Sequence, residues 1–471
     1  MKNKSYILIT LFALHFSLPI QAQFDPEVID RSPMLEYRDG HTATTYENNR
    51  ALICGGFNGL FVTNTAEIYD FDNDEWMPVE EMLYSRFTHR ALRLQNGKVL
   101  VCGGWDGGKT NLYTTEIYNP QNQSFSQGPD MNEGRSNHTA TLLNDGRVLI
   151  CGGFNGIVDV NSVDIYNPAT NEITPASPMI APRSSHTATL LQDGRVLVCA
   201  GFNPDYGFQM NDSEIYNPAD NTWIEVEPIP YARDNHAATL LSNGKVLVAG
   251  GREFNQNLNV FQGISSVQSF DPETNAWTEL ESLSQGQSYL NVHAMVSDDA
   301  DFDYLIIPGA TNYSGFEVDL SFSDSEFLSI NASNMELEYL NGQELVPGRY
   351  RYASCPRFLY GGMNDILVCG GDPGLLGTAV LYQNVSTNLE EEQGLNMKVY
   401  PNPVDNQLFF SSTVPFYHVE IYTITGKLLY SESYSDVEND SMIDLENCAS
   451  GLYLIEIQTA KRKFSRIFAK K

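Results

Sequence analysis

The stretch Arg135-Ser-Asn-His138-Thr-Ala-Thr-Leu-Leu-Asn-Asp-Gly-Arg-Val-Leu-Ile-Cys-Gly-Gly153-Phe154-Asn155 decides the fold. Its first part, from Thr139 to Leu143, mixes small, polar and apolar side chains in the manner of a half-buried strand. Asp145-Gly146 then marks a turn. Asp-Gly and Asn-Gly tolerate positive φ, so a two-residue type I′ hairpin is expected. Val148 to Cys151 is a continuous apolar run, which suits a strand covered on both faces. The paired glycines that follow allow one backbone to approach another closely.

The phrase is a repeat. His41, His89, His138, His186 and His236 each open a copy, at spacings of 48, 49, 48 and 50 residues. His293-Ala-Met-Val is a weaker sixth copy and Tyr352-Ala-Ser-Cys a worn seventh. Turn dipeptides recur as Asn96-Gly97, Asp145-Gly146, Asp193-Gly194 and Asn243-Gly244, and the apolar strand runs into Gly55-Gly56, Gly103-Gly104, Gly152-Gly153, Gly250-Gly251 and Gly370-Gly371. A third strand follows (Ala66-Glu-Ile-Tyr69, Thr115-Glu-Ile-Tyr118, Val163-Asp-Ile-Tyr166, Ser213-Glu-Ile-Tyr216), then a fourth often marked by Trp76, Trp223 or Trp277. Each unit ends in an arginine three residues before the next histidine: Arg38, Arg86, Arg135, Arg183 and Arg233.

Four strands in about 50 residues, with paired glycines and a Tyr…Trp signature, resemble the kelch repeat. Seven copies imply an all-β, seven-bladed propeller, because a lone four-stranded unit cannot bury both faces and must stack radially. The last copy ends at Ala379-Val-Leu-Tyr382 without a Trp strand, while the segment from Phe24 carries Met34 and Arg38, as Met131 and Arg135 follow another fourth strand. The N-terminal segment is therefore predicted to complete the last blade. The sixth copy is the irregular one, with an acidic insertion, Asp298-Asp-Ala-Asp-Phe-Asp303, and a longer loop from Asn312 to Asp319.

The flanks differ from the repeats. Lys2 and Lys4 precede an apolar run from Tyr6 to Ile20 that ends at Gln21-Ala22, the order of a secretory signal peptide over residues 1–22. No other run approaches the roughly 18 apolar residues of a spanning helix. After a propeller over residues 23–384 comes a polar linker, 385–396, with Glu390-Glu-Glu392. Residues 397–471 hold Tyr400-Pro-Asn-Pro403, Gly426-Lys427, Ser450-Gly-Leu-Tyr453 and a basic end, Lys461 to Lys471. In that order these are similar to the type A C-terminal sorting domain of the type IX secretion system, a small β-sandwich. The resemblance implies a partner in that machinery and export across the outer membrane of a Bacteroidota-type bacterium. The passenger would then be released to the medium or held at the cell surface.

Composition excludes some functions. The formal charge is −31 over 471 residues, which excludes wrapping of nucleic acid, since phosphate binding needs a basic face. Of seven cysteines, Cys54, Cys102, Cys151, Cys199 and Cys369 share one repeat position, which Ala249 fills in the fifth copy. That pattern reads as a small buried residue. Cys355 and Cys369, on adjacent strands, are the one pair with disulfide-like placement. Asp70-Phe-Asp72-Asn-Asp74 with Glu81 has calcium-loop spacing, but Glu75 stands where such a loop needs glycine, so it reads as a turn. No phosphate loop, hydrolase elbow, zinc motif or other cofactor motif is found.

In each hairpin the start of the first strand and the end of the second lie on one face. That face is expected to gather Arg38, Arg86, Arg135, Arg183 and Arg233 with the residues after the glycines: Phe57, Trp105, Asp106, Phe154, Asn155, Phe202 and Arg252. Aromatic faces beside amides suit sugar rings, and arginines suit carboxylates. A non-catalytic binding or scaffolding role toward a glycan or protein is expected, the alternative being packing within the repeat. Among propellers of this kind, galactose-oxidase-like copper enzymes need two Tyr and two His on one metal. Here His41, His89, His138, His186, His236 and His293 occupy equivalent blade positions, which spreads them around a ring. They are expected to bond between strands or blades. A metal-free sugar isomerase of the sialate-mutarotase kind is the other catalytic alternative.

Overall fold

The computed structural model describes residues 26–471 apart from 48, 109–110, 258, 290, 297–301, 308–325, 332, 340–352, 359–363, 370–378, 385–397, 401–406, 424–427, 446–450, 460–462 and 471. The expected signal peptide, the linker, the Asn312–Asp319 loop and most of the acidic insertion lie outside the described residues. The chain divides into two compact units at Val385 and Ser386.

The first unit contains seven four-stranded antiparallel sheets. Blade 1 runs inside to outside through Thr42–Glu47, Arg50–Cys54, Ala66–Asp70 and Glu75–Pro78. Blade 2 uses Arg90–Arg93, Val99–Cys102, Thr115–Asn119 and Ser124–Gln127, and blade 3 Thr139–Leu142, Val148–Cys151, Val163–Asn167 and Glu172–Ala176. Blade 4 has a lengthened central pair, Val196–Asn203 and Phe208–Asn217, between Thr187–Leu190 and Thr222–Val226. Blade 5 comprises Ala237–Leu240, Val246–Ala249, Val267–Asp271 and Ala276–Glu279, with an extra hairpin, Arg252–Asn255 and Val260–Gly263, between its second and third strands. Blade 6 is His293–Val296, Phe302–Ile307, Glu326–Asn331 and Leu337–Tyr339.

Blade 7 closes the ring as expected. Ala353–Phe358, Asn364–Cys369 and Ala379–Asn384 take Pro26–Arg31 as the outer strand, antiparallel, with Val28 opposite Tyr382. The inner strand of blade 7 then lies beside that of blade 1. The Trp76 indole N–H donates to Ser32 O at 2.6 Å, tying the end of this closing strand to blade 1.

The second strand of each blade explains the stacking. Val99, Leu100, Val101 and Cys102 are all fully buried. Val99 and Val101 pack with Leu52, Cys54 and Ile68 of blade 1, whereas Leu100 and Cys102 pack with Val148, Ile150 and Tyr166 of blade 3. The two-residue period of the strand thus feeds two inter-blade cores, at roughly 1.5–3 kcal/mol per large apolar side chain buried. Outer strands add cross-strand ring pairs, Tyr69–Trp76, Tyr216–Trp223 and Phe270–Trp277, with centroids 4.8–5.0 Å apart.

Two local expectations need correction. The Asn-Gly and Asp-Gly hairpins are not type I′. Gly97, Gly146, Gly194 and Gly244 have φ of 80–87°, but the residue before each does not have positive φ. Gly97 N bonds Leu94 O and Leu94 N bonds Lys98 O, so the loop has three residues, a type I turn followed by a left-handed glycine. The Asn96 side chain accepts from Lys98 N instead of entering the left-handed region. The second point concerns Cys369, a buried cysteine whose pairing with Cys355 the sequence leaves open. It stands opposite Ala353, and Cys355 stands opposite Leu367, so the two cysteines are diagonal, not directly opposed, in the register, and among the described residues Cys369 is in no disulfide.

In the second unit, Gln407–Thr423 is the organising strand. Its first half pairs with Lys398–Tyr400 and its second half with Gly451–Thr459, while Leu428–Asp444 follows it along both halves. Lys463–Lys470 adds to the far edge. Register breaks between Ser411 and Phe416 bend the long strand around a core of Leu408, Phe410, Phe416, Val419, Ile421 and Ile455.

Candidate functional site

The five connector arginines, expected on the loop face, are buried inside the blades. Arg38, Arg86, Arg135, Arg183 and Arg233 are 0–1% exposed. Arg86 donates Nη1 to Gly103 O at 2.7 Å and Thr114 O at 3.0 Å, and Nη2 to Glu116 at 3.0 Å. Arg38, Arg135 and Arg183 repeat this with Glu67, Asp164 and Glu214. Arg233 meets a neutral partner, Gln268, at 3.0 Å. The carboxylates also accept connector N–H groups, such as Leu35 N on Glu67 and Leu83 N on Glu116. Each arginine therefore fastens the incoming connector to the next blade's second and third strands. The reason is physical: a buried guanidinium must find carbonyls and a carboxylate, and the blade interior supplies both.

The histidines bond across blades. His89 Nε2 meets Thr42 Oγ1 at 2.9 Å in blade 1, His186 meets Thr139 at 3.0 Å in blade 3, and His236 meets Thr187 at 2.9 Å in blade 4. His138 meets Cys102 Sγ at 3.5 Å. His41 reaches Cys369 Sγ at 3.7 Å, the same contact across the closure. Burial, with nearby arginines, pushes these imidazoles down, to about 3 for His41 and His236. A Cβ on Gly103 would stand 2.5 Å from Arg135 O and 2.7 Å from His138 Cε1, so glycine is required where the next blade's histidine lies against it. The side chain of His293 lies outside the described residues. Among the described residues no group of three His, Cys, Asp or Glu is placed to hold a metal ion. The Asp70–Asp74 segment is a turn in which Asp70 Oδ1 accepts from Asp72 N and Asn73 N.

A cavity of about 950 Å³ opens on the axis. Of the residues expected at a ligand, Trp105, Phe154, Phe202 and Arg252 line it. Phe57 does not, and Asp106 and Asn155 fold their side chains back to cap loops: Asp106 accepts from Gly108 N, and Asn155 from Ile157 N and Val158 N. Trp105 and Phe154 are each 37% exposed, enough to offer a ring face. Arg252 makes a forked pair with Asp234 at 3.0–3.1 Å and lies over the Phe261 ring at 4.3 Å. The raised hairpins of blades 4 and 5 form an aromatic wall, with Phe202, Phe208, Phe254 and Phe261 in successive contact.

The residues missed from sequence are the two between each arginine and histidine. The first pairs with the residue after the glycines: Phe87 with Trp105, Ser136 with Phe154, Ser184 with Phe202, Asp234 with Arg252. The second is left-handed in blades 1 to 5, at Gly40, Thr88, Asn137, Ser185 and Asn235, and Tyr289 takes the same conformation ahead of blade 6, where Gln287 stands in place of the arginine; φ is 50–58° throughout. These six are joined in a belt of backbone hydrogen bonds. Thr88 N bonds Gly40 O, Asn137 N bonds Thr88 O, and the series continues through Ser185 and Asn235 to Tyr289 at 2.9–3.2 Å. Non-glycine residues at positive φ are costly, for β-branched Thr88 above all, and such strain collects at sites that must point side chains inward. Asp159 also lines the cavity. Burial pushes its carboxyl up, with a Ser184 hydrogen bond opposing.

The comparisons with known proteins agree with this architecture. A KLHDC2/KLHL20/DRC7 Kelch-repeats domain matches residues 40–251 and 89–309, together more than half of the chain. A secretion system C-terminal sorting domain matches residues 398–471. No curated protein matches the sequence. Among solved structures, one described as "Structure of YjhT" superposes with a TM-score of 0.51 at 15% identity, over 66% of this chain and 99% of its own, which supports the fold alone. Matched over more than half its length and built of these repeated blades, the chain belongs to the kelch-repeat family and ends in a type IX secretion sorting domain that implies export.

Proposed function

We propose that this exported propeller is a binding protein that holds a glycan at the axial cavity. The supporting observation is the lining. Trp105, Phe154 and Phe202 line one cavity together with Ser136, Ser184 and Asn137. Sugars offer apolar C–H faces and hydroxyl edges, and this mixture matches both. A volume of about 950 Å³ suits an oligosaccharide. The sorting domain serves the secretion machinery, and the propeller acts once outside, in the medium or on the cell surface.

The test is a glycan array with the full chain and with the double variant Trp105→Ala, Phe154→Ala. Binding that falls at least tenfold in the variant supports the site, and binding that persists unchanged refutes it. An array blank for glycans with retained capture of a surface protein would shift the reading to a scaffold. One observation favours a catalytic second reading, a metal-free sugar isomerase: Asp159, its carboxyl pushed up by burial, faces the cavity where it can exchange a proton. Anomer exchange followed by NMR, lost in Asp159→Asn with binding retained, would establish that reading.

A further inference from the structure

Arg90 is the exception on the inner strands. The position after each histidine holds Thr42, Arg90, Thr139, Thr187 and Ala237 in blades 1 to 5. Where threonine stands, its hydroxyl serves the next blade's histidine. Arg90 instead lines the axial cavity and is exposed to it. Its Nε donates to His138 O at 2.6 Å. Among the described residues no carboxylate pairs with it. The other charged groups lining the cavity are Arg252 with Asp234, mutually paired, and Asp159, held by Ser184.

A guanidinium that lines a cavity with no carboxylate beside it is open to pairing with an anion, and a chain with a net charge of −31 has carboxylates to spare for any cation it needs to neutralise. Every connector arginine but Arg233 has one. Among the described residues neither terminal nitrogen of Arg90 has a hydrogen-bond partner, which leaves both for something that enters the cavity.

We infer that Arg90 is a specificity residue that takes the carboxylate of an acidic sugar, a hexuronic-acid type of ligand. This rests on the glycan reading above and deepens it. Arg90 lies three residues beyond Phe87, and it lines the same cavity as the bridged Phe87–Trp105 pair. A sugar ring stacked at that pair can extend its carboxylate toward the guanidinium fork.

The repeat itself supplies the test substitution. Arg90→Thr installs the residue of blades 1, 3 and 4 and offers His138 a hydroxyl, so the fold should tolerate it. Oligogalacturonate and oligoglucuronate are titrated into the full chain and the variant, beside the neutral galacto- and gluco-oligosaccharides and poly-glutamate. The expected result is a preference of about 10- to 100-fold for the acidic sugars over their neutral counterparts, abolished in Arg90→Thr at unchanged unfolding temperature. Neutral sugars bound as well as acidic ones, or a preference that survives the substitution, would overturn this inference and leave the glycan reading standing. Saccharides that fail altogether would remove both, and poly-glutamate bound in preference to every saccharide would replace the sugar with a peptide.

Discussion

Two sets of arginines divide this propeller. Arg38, Arg86, Arg135 and Arg183 occupy one repeat position, are fully buried and are paired with a carboxylate on the third strand. Arg90 and Arg252 sit where other blades carry different residues, and both line the axial cavity. The contrast extends to the neighbours. Histidines and paired glycines recur from blade to blade and hold blades together, while Phe87, Ser136 and Asp234 share a position and differ in chemistry. In a repeat ring, what recurs is scaffold, because each interface must be built again. What differs is free to meet something that lacks the ring's symmetry.

The largest effect should come from breaking the scaffold set. Arg86→Ala leaves Glu116 buried without its cation, which costs about 3–5 kcal/mol. Arg233→Ala leaves only neutral Gln268 and should cost about 1–3 kcal/mol. Denaturant unfolding of the two variants measures the difference. Equal losses would mean that the carboxylate contributes nothing and that the arginines act through carbonyl bonds alone.

Acid should expose the histidine locks next. The imidazoles are neutral when folded, with values about 3 for His41 and His236, against about 6.5 unfolded. Below pH 6.5 the unfolded chain binds protons that the folded chain refuses, so stability rises with pH across this window and is lost as pH falls toward 3. Each histidine contributes a slope of up to about 1.4 kcal/mol per pH unit. Unfolding free energy measured between pH 7 and 5 should fall steeply, and His186→Gln should remove about one proton from that slope. A flat profile would show that the locks open before the ring does.

A smaller, opposite effect sharpens the same comparison. Gln268→Glu gives Arg233 the carboxylate that its equivalents have, and burial already pulls the Arg233 guanidinium down to about 10. A gain of about 1 kcal/mol is expected in denaturant unfolding. A loss would mean that blade 5, which carries the extra hairpin, has an interior rebuilt around the amide.

The scaffold was legible because its rule is repetition. The phrase from His138 to Gly153 displays strand, turn and close approach together, and Met34 with Arg38 revealed the closing strand. The arginines were misplaced because nearness to the start of a strand does not say which way a side chain turns. The third strand held the missing signal: Glu67, Glu116, Asp164 and Glu214 interrupt apolar runs at one position, and a buried acid needs a buried base. The rim was legible only as variation within Arg-x-x-His, and its left-handed belt is invisible to propensity, which would not place Thr88 at positive φ. Arg90 showed itself only as a break in the His-Thr pattern.

The smallest expected change in stability decides most about the cavity. Trp105 and Phe154 follow the paired glycines, are each 37% exposed, and contribute backbone bridges that survive loss of their rings. Trp105→Ala or Phe154→Ala should shift unfolding by less than about 1 kcal/mol, as exposed positions outside the core do. The same variants should cost tenfold or more in glycan affinity if the rings are a binding surface, since each stacked ring contributes about 0.5–1.5 kcal/mol beyond its area. A large stability loss would place both aromatics with the scaffold, alongside Phe87, whose ring meets that of Trp105 edge-on at 6.4 Å. The division between what recurs and what recognises would then run through the side chains after the glycines, leaving Arg90, Asp159 and the hairpins of blades 4 and 5 to carry recognition.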